Sequence, residues 1–304
     1  MISGRILAVT TLVIALASAS TAAQQRSQRG PDTDITENVT RGARLAIDNF
    51  AGEVIIRFWD RDQVKITARH STRTKVAVRN TATALAIAAQ GSSGVPSVDY
   101  EITAPAWMPV RIEGTYNFVS VEGAQGEVTA STVRGDILVK GGTGLVRAKS
   151  IEGVVTIDGA KGRIQAESVN EGIRISGSSG EIVATTTNGD ITLTNVEAKS
   201  VEVETVNGDV VFDGTLAGGR YRIATHNGDI TVSVPESSSA TFLVRTYNGD
   251  FSTNLPLKGG KPEDVSRGRR VTFTLGAGAA EVELESFGGE IIVQRPGTTR
   301  RQRN

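Results

Sequence analysis

Between residues 116 and 293, apolar and polar positions alternate in short runs broken by glycine, and the same runs keep returning. With the residue before Gly-Asp (or its equivalent) as position zero, repeats register at Tyr116, Arg134, Glu152, Asn170, Asn188, Asn207, Asn227 and Asn248. The steps are 18, 18, 18, 18, 19, 20 and 21 residues, and Gly288 heads one more repeat. Three after zero stand Val119, Ile137, Val155, Ile173, Ile191, Val210, Ile230, Phe251 and Ile291. Six before zero stand Val128, Val146, Ile164, Ile182, Val201, Tyr221, Phe242 and Val282. Side chains two apart share a strand face, so each repeat reads as two strands, each with an apolar inward face. An Asn-Gly-Asp-type turn joins them at one corner, and glycines 126, 144, 162, 180 and 219 mark the other.

A period near twenty means that each unit buries its apolar face on its neighbours. The expected fold is all-β: a parallel β-solenoid with two strands per coil of about 18–21 residues, after an irregular β lead-in. A meander of hairpins is the rival, because Asn-Gly is the best two-residue hairpin signal. Conserved columns count against it, since equivalent residues in a meander need not stack. Four before zero the column runs Ala130, Ala148, Ala166, Ala184, Val203, Ile223, Val244 and Leu284. Filling at constant density predicts a taper, narrow near residue 130 and wider near 245. Corner glycines are read as supplying positive φ and asparagines as bonding coil to coil. Inward hydroxyls two before zero, from Thr132 and Ser150 to Thr246 and Ser286, need partners along the axis.

The segments outside the repeats complete the layout. Residues 1–23 carry Arg5, an apolar run from Ile6 to Ala17 and then small residues, the pattern of a signal peptide. That run is shorter than the roughly 20 residues needed to span a bilayer, so no transmembrane segment is expected after its removal. The protein is expected to be exported, to the periplasm, the cell surface or the medium. Residues 24–40 read as a disordered linker, 41–115 as the β lead-in that covers the narrow end, 116–295 as the solenoid and 296–304 as a basic disordered tail.

Charge and chemistry narrow the function. The chain of 304 residues has 33 basic and 33 acidic side chains, which gives no electrostatic case for nucleic acid. It has no cysteine and only His70 and His226, and it lacks the motifs of nucleophilic, phosphate-binding or zinc enzymes. No enzyme activity and no cofactor are expected. Stacked coils would bring the Asp136, Asp190, Asp209, Asp229, Asp250 and Glu290 column to strand spacing. Asp190, Asp209, Asp229 and Asp250 are therefore weak calcium candidates, or carboxylates for work on a sugar. Val154 and Gly172 interrupt that column, which favours solvated corner residues that bond local amides. One before zero, positions that should face outward are mostly apolar. Val169, Val206, His226, Tyr247 and Phe287 form a candidate partner-binding stripe, unless a loop covers them.

The segments "IDNFAGEVIIRFWDRDQVKITA" and "YEITAPAWMPVRIEG", followed by the Asn-Gly-Asp repeats, resemble a bacterial β-strand-repeat family of unknown function labelled adhesins. They are similar to the head domains of autotransporter adhesins, over roughly residues 40–295. The resemblance implies a repeat fold and brings no catalytic residues. The expected function is that of a secreted or envelope-located scaffold or adhesin, acting by contact with an envelope protein or polysaccharide. The alternative is a carbohydrate-active β-helix enzyme or calcium-binding module that uses the aspartate ladder.

Overall fold

The computed structural model describes residues 33–91, 95–265 and 268–297. Residues 1–23, expected to be a signal peptide, and most of the tail lie outside the described residues. Within them, 24 strands join in one largely parallel sheet, with a 3-10 turn at Pro262–Asp264 and no α-helix.

The predicted columns are literal neighbours. Strands that precede the Asn-Gly-Asp corner form one parallel ladder. Val128 pairs with Val146, and Val146 with Ile164; Ile182 pairs with Val201, and Val201 with Tyr221. Strands that follow the corner form a second ladder, in which Ile137, Val155, Ile173, Ile191, Val210 and Ile230 pair in succession. Inward side chains of both ladders merge in one buried core. The sheet thus closes its apolar face rung upon rung, as parallel sheets require.

Spatial order departs from sequence order at both ends. Strand Ala240–Thr246 does not sit on Gly219–Asn227. Ala280–Ser286 occupies that place, with Val282 paired to Tyr221 on one side and to Phe242 on the other. Ile291–Gln294 likewise lies between Ile230–Ser233 and Phe251–Thr253. Outward charges match this placement. Glu281 meets Arg220 at 3.1 Å, Glu283 meets Arg270 at 2.8 Å, and Glu285 pairs with Arg245. The antiparallel strand Arg270–Leu275 then closes this end of the stack.

The N-terminal third repeats the device. Strand Arg44–Trp59 runs through both ladders, between Val110–Ala124 on one side and Ala84–Gly91 with Val98–Pro105 on the other. The segment "NFAGEV" is thus the corner of a full rung and not part of an irregular lead-in. Antiparallel strands Thr74–Asn80, Gln63–His70 and Thr33–Asn38 cover this end. Residues 33–38, expected within a disordered linker, form an edge strand because Gln63–His70 offers them a free ladder.

The small column behaves differently from the expected taper. Ala130 pairs with Ile112, which pairs with Ile47, so bulk also rises towards the N-terminal end. Side-chain size in this column has its minimum in mid-stack.

Candidate functional site

Each Asn-Gly-Asp corner is built by contact with the coil beside it. A Cβ at Gly208 would lie 2.1 Å from the Gly189 carbonyl oxygen, and one at Gly228 would lie 2.0 Å from that of Gly208. None of Gly189, Gly208, Gly228 and Gly249 occupies the left-handed region, so the expected reason for these glycines is corrected. Close backbone approach excludes a side chain there. At this corner only Gly52 and Gly135 among the described residues have positive φ, 117° and 127°, and the fuller column is at the opposite corner, where Gly159, Gly177 and Asn195 have φ of 67°, 53° and 54°.

Side chains then staple the corners along the axis. Inward hydroxyls bond corner carbonyls of the adjacent coil: Ser150 donates to Gly135 at 3.0 Å, Thr205 to Gly189 at 3.0 Å and Thr225 to Gly208 at 2.9 Å. Asparagine amides form a ladder, from Asn188 to Asn170 at 3.2 Å, Asn207 to Asn188 at 2.9 Å and Asn227 to Asn207 at 2.8 Å. The ladder ends there because the inserted coil carries Gly288 in place of asparagine.

The aspartates are used the same way. One oxygen each of Asp190, Asp209 and Asp229 accepts the backbone N–H of Asp209, Asp229 and Glu290, all at 2.8 Å. Asp250 stands in the outermost coil, with no further coil to bond. A shallow depression of about 290 Å³ places Glu171 beside Asp190 where Gly172 interrupts the column. Among the described residues, no cluster of three or more acidic or histidine ligands is positioned to hold a metal ion.

The outward stripe is real and longer than expected. Val206 is 44% exposed and Phe287 41%, His226 is exposed, and Val169 and Tyr247 are half-buried. Phe287 lies between His226 and Tyr247, stacked on His226 at 4.7 Å and 10° and tilted on Tyr247 at 5.1 Å. Sequence order hides this pile, since only the inserted coil brings Phe287 between the other two rings. At the far end, exposed Phe50 joins the same corner, with its ring 5.5 Å from that of Tyr116. Phe50 was missed because its coil lies outside the 18-residue spacing.

A family model described as Toastrack DUF4097 matches residues 43–294. The chain belongs to the Toastrack DUF4097 family. No curated protein matches it significantly. A solved structure described as a "putative cell adhesion protein" from Clostridium sporogenes ATCC 15579 is similar over 86% of this chain and 99% of that one. Its identity is 11% and its TM-score 0.26, an overlap too loose to bear on this protein.

Beside the aromatic pile, the Toastrack chain carries a groove of about 590 Å³ on the outer side of the first ladder. Its polar groups come from positions three and five before zero, including Glu204 and Arg222, paired at 3.1 Å. Glu285 bonds Arg245 and holds that guanidinium above its ordinary pKa. Arg245 also lies 5.3 Å over the Tyr247 ring. At a solvated corner, Arg134 bonds Glu152 at 2.5 Å, and this holds the Glu152 carboxyl below the usual range. No sequence motif marked Glu204, Arg222 or Glu285. The signal was their place in outward columns next to the apolar stripe.

Proposed function

We propose that this chain is an exported, non-enzymatic β-solenoid that acts in the cell envelope by surface contact, as an adhesin or scaffold. Its two parallel ladders are the faces of coils with two strands per turn. The observation that carries the reading is the exposed apolar corner: Val133 is 43% exposed, Ile151 38%, Val206 44% and Phe287 41%. An apolar row repeated at most rungs, broken by Thr187, offers a contact edge, and exposed apolar surface of this kind marks interaction sites. Asp190, Asp209 and Asp229, each spending an oxygen on a neighbouring amide, support a structural role over calcium binding or sugar hydrolysis. The envelope assignment rests on the signal-peptide pattern, so the mature N-terminus should fall at about residue 20–25.

The test is retention of the purified protein on a native envelope fraction. Val206→Asp with Phe287→Asp alters only outward positions and should leave the melting temperature unchanged while abolishing retention. Equal retention of wild type and variant would remove the stripe from the function.

A further inference from the structure

The aromatic pile has one covered end and one open end. Gly268 sits against Tyr247 so closely that a Cβ there would lie 2.6 Å from the ring. At the other end, the residues that follow His226 along the corner are Val206 and Thr187, both exposed. The stripe steps down from three stacked rings to an aliphatic and a hydroxyl side chain. One face of His226 is stacked on Phe287, and on the opposite side register places Val206 next to His226, between the pairs Thr205–Thr225 and Asn207–Asn227.

The step opens into the 590 Å³ groove, whose floor is Ala224. Register places this small residue between Glu204 and Glu285. Each carboxylate is paired with a guanidinium, Glu204 with Arg222 and Glu285 with Arg245. Thr185 and Thr187 add hydroxyls. The groove therefore combines one flat apolar wall with dense hydrogen-bonding groups whose charges cancel. A charged ligand would meet a like charge beside every opposite one. An aromatic side chain of a protein partner would fit the wall but desolvate the charged pairs and threonine hydroxyls around Ala224 without bonding them. A ring with an apolar face, a hydroxylated rim and no charge satisfies both. Two further depressions continue the groove along the ladder. One of about 290 Å³ shares Thr185 with it, and one of about 440 Å³ shares Arg222; Arg, Glu and Gln line both. Such a row suits an extended occupant.

We propose that this groove binds a neutral pyranose unit of an extended polysaccharide. The sugar stacks on the open face of His226 above Val206, and Glu204, Arg222, Thr185 and Thr187 bond its hydroxyls. The inference rests on the surface-contact reading and narrows it to a ligand class.

The test is saturation-transfer NMR and calorimetry on the mature protein, with cellohexaose, laminarihexaose, mannohexaose and chitohexaose as neutral probes and polygalacturonate as the anionic comparison. At least one neutral hexasaccharide should bind, with saturation at its ring C–H protons. His226→Ala and Val206→Arg should each weaken it by about tenfold or more at unchanged melting temperature. Absence of neutral binding, preference for polygalacturonate, or affinity that survives both variants would overturn the proposal. Stripe-dependent retention on the envelope fraction, with no hexasaccharide bound, would sink the sugar assignment alone. Loss of both would sink the surface-contact reading with it.

Discussion

Gly208→Ala separates two reasons for a corner glycine. The added Cβ would sit 2.1 Å from the Gly189 carbonyl oxygen and 2.5 Å from its carbon, where ordinary contacts start at 3.4 Å. Adjacent coils would have to part locally by roughly an ångström, as overpacked cores do. That movement strains three bonds at once. Gly189 N–H to Asn207 is 2.9 Å, Thr205 hydroxyl to Gly189 is 3.0 Å, and Asp209 N–H to Asp190 is 2.8 Å. Overpacking costs about 1–3 kcal/mol and the three bonds, weakened but not lost, together about 2 kcal/mol, so the expected loss is about 3–5 kcal/mol. Thermal unfolding followed by circular dichroism should shift down by roughly 6–20 °C. Gly159→Ala is the converse probe. Its φ is 67° and nothing lies within 4 Å of the new Cβ, so only left-handed strain of about 1–2 kcal/mol applies. Asp209→Asn keeps an oxygen for the Asp229 amide and should cost less than about 1 kcal/mol. If Gly208→Ala proves milder than Gly159→Ala, close approach is not what the corner demands.

Two other perturbations probe the ends of the stack. Tyr100 is fully buried with its hydroxyl unpartnered, and burial raises its pKa well above the unfolded value of 10.0. The folded state therefore holds a proton that the unfolded chain releases, and stability should fall as pH rises above about 10. Tyr100→Phe should raise stability by about 1 kcal/mol at neutral pH and flatten the alkaline decline seen in urea titrations; a variant as alkali-sensitive as wild type would contradict this. Glu281→Gln with Glu283→Gln and Glu285→Gln removes the inserted strand's acidic face. The exposed Arg220–Glu281 pair is worth about 0.2–1 kcal/mol at most and the half-buried Arg245–Glu285 pair more. Amide hydrogen exchange over 280–294 should accelerate before any other rung, and unchanged protection there would refute the role of these charges.

Much of the fold was legible because each sequence column became a ladder. Val146 pairs with Val128 and Ile164 because their spacing is the coil length. The first rung was harder to see. Strand Arg44–Trp59 reaches its neighbours across intervening strands, so no fixed spacing marks it. Its corner also replaces the amide ladder with a buried pair, in which Asn49 donates to Asn117 at 2.7 Å. Positive φ, the reason read for the corner glycines, holds at Gly135, Gly144, Gly162, Gly180 and Gly219 but not at Gly189, Gly208, Gly228 and Gly249. Left-handed geometry and close approach select the same residue, and only the position of the neighbouring carbonyl tells them apart. The site divided likewise. The apolar stripe was legible from side-chain parity, but the groove beside it depends on which coils are adjacent.

That adjacency turns on charge. Inward residues do not decide whether Ala240–Thr246 or Ala280–Ser286 should follow Gly219–Asn227, because Phe242 with Val244 and Val282 with Leu284 fill equivalent core positions. Outward residues do decide it. Glu281 and Glu283 on the inserted strand stand opposite Arg220 and Arg222, where Ala240–Thr246 in that slot would offer Thr241 and Leu243. Ala240–Thr246 pairs antiparallel with Arg270–Leu275 and carries Arg245, so its outer face wants an acidic neighbour. Ala280–Ser286 supplies one on both sides at once. The same insertion places Phe287 between His226 and Tyr247, so the charges that order the coils also assemble the aromatic pile.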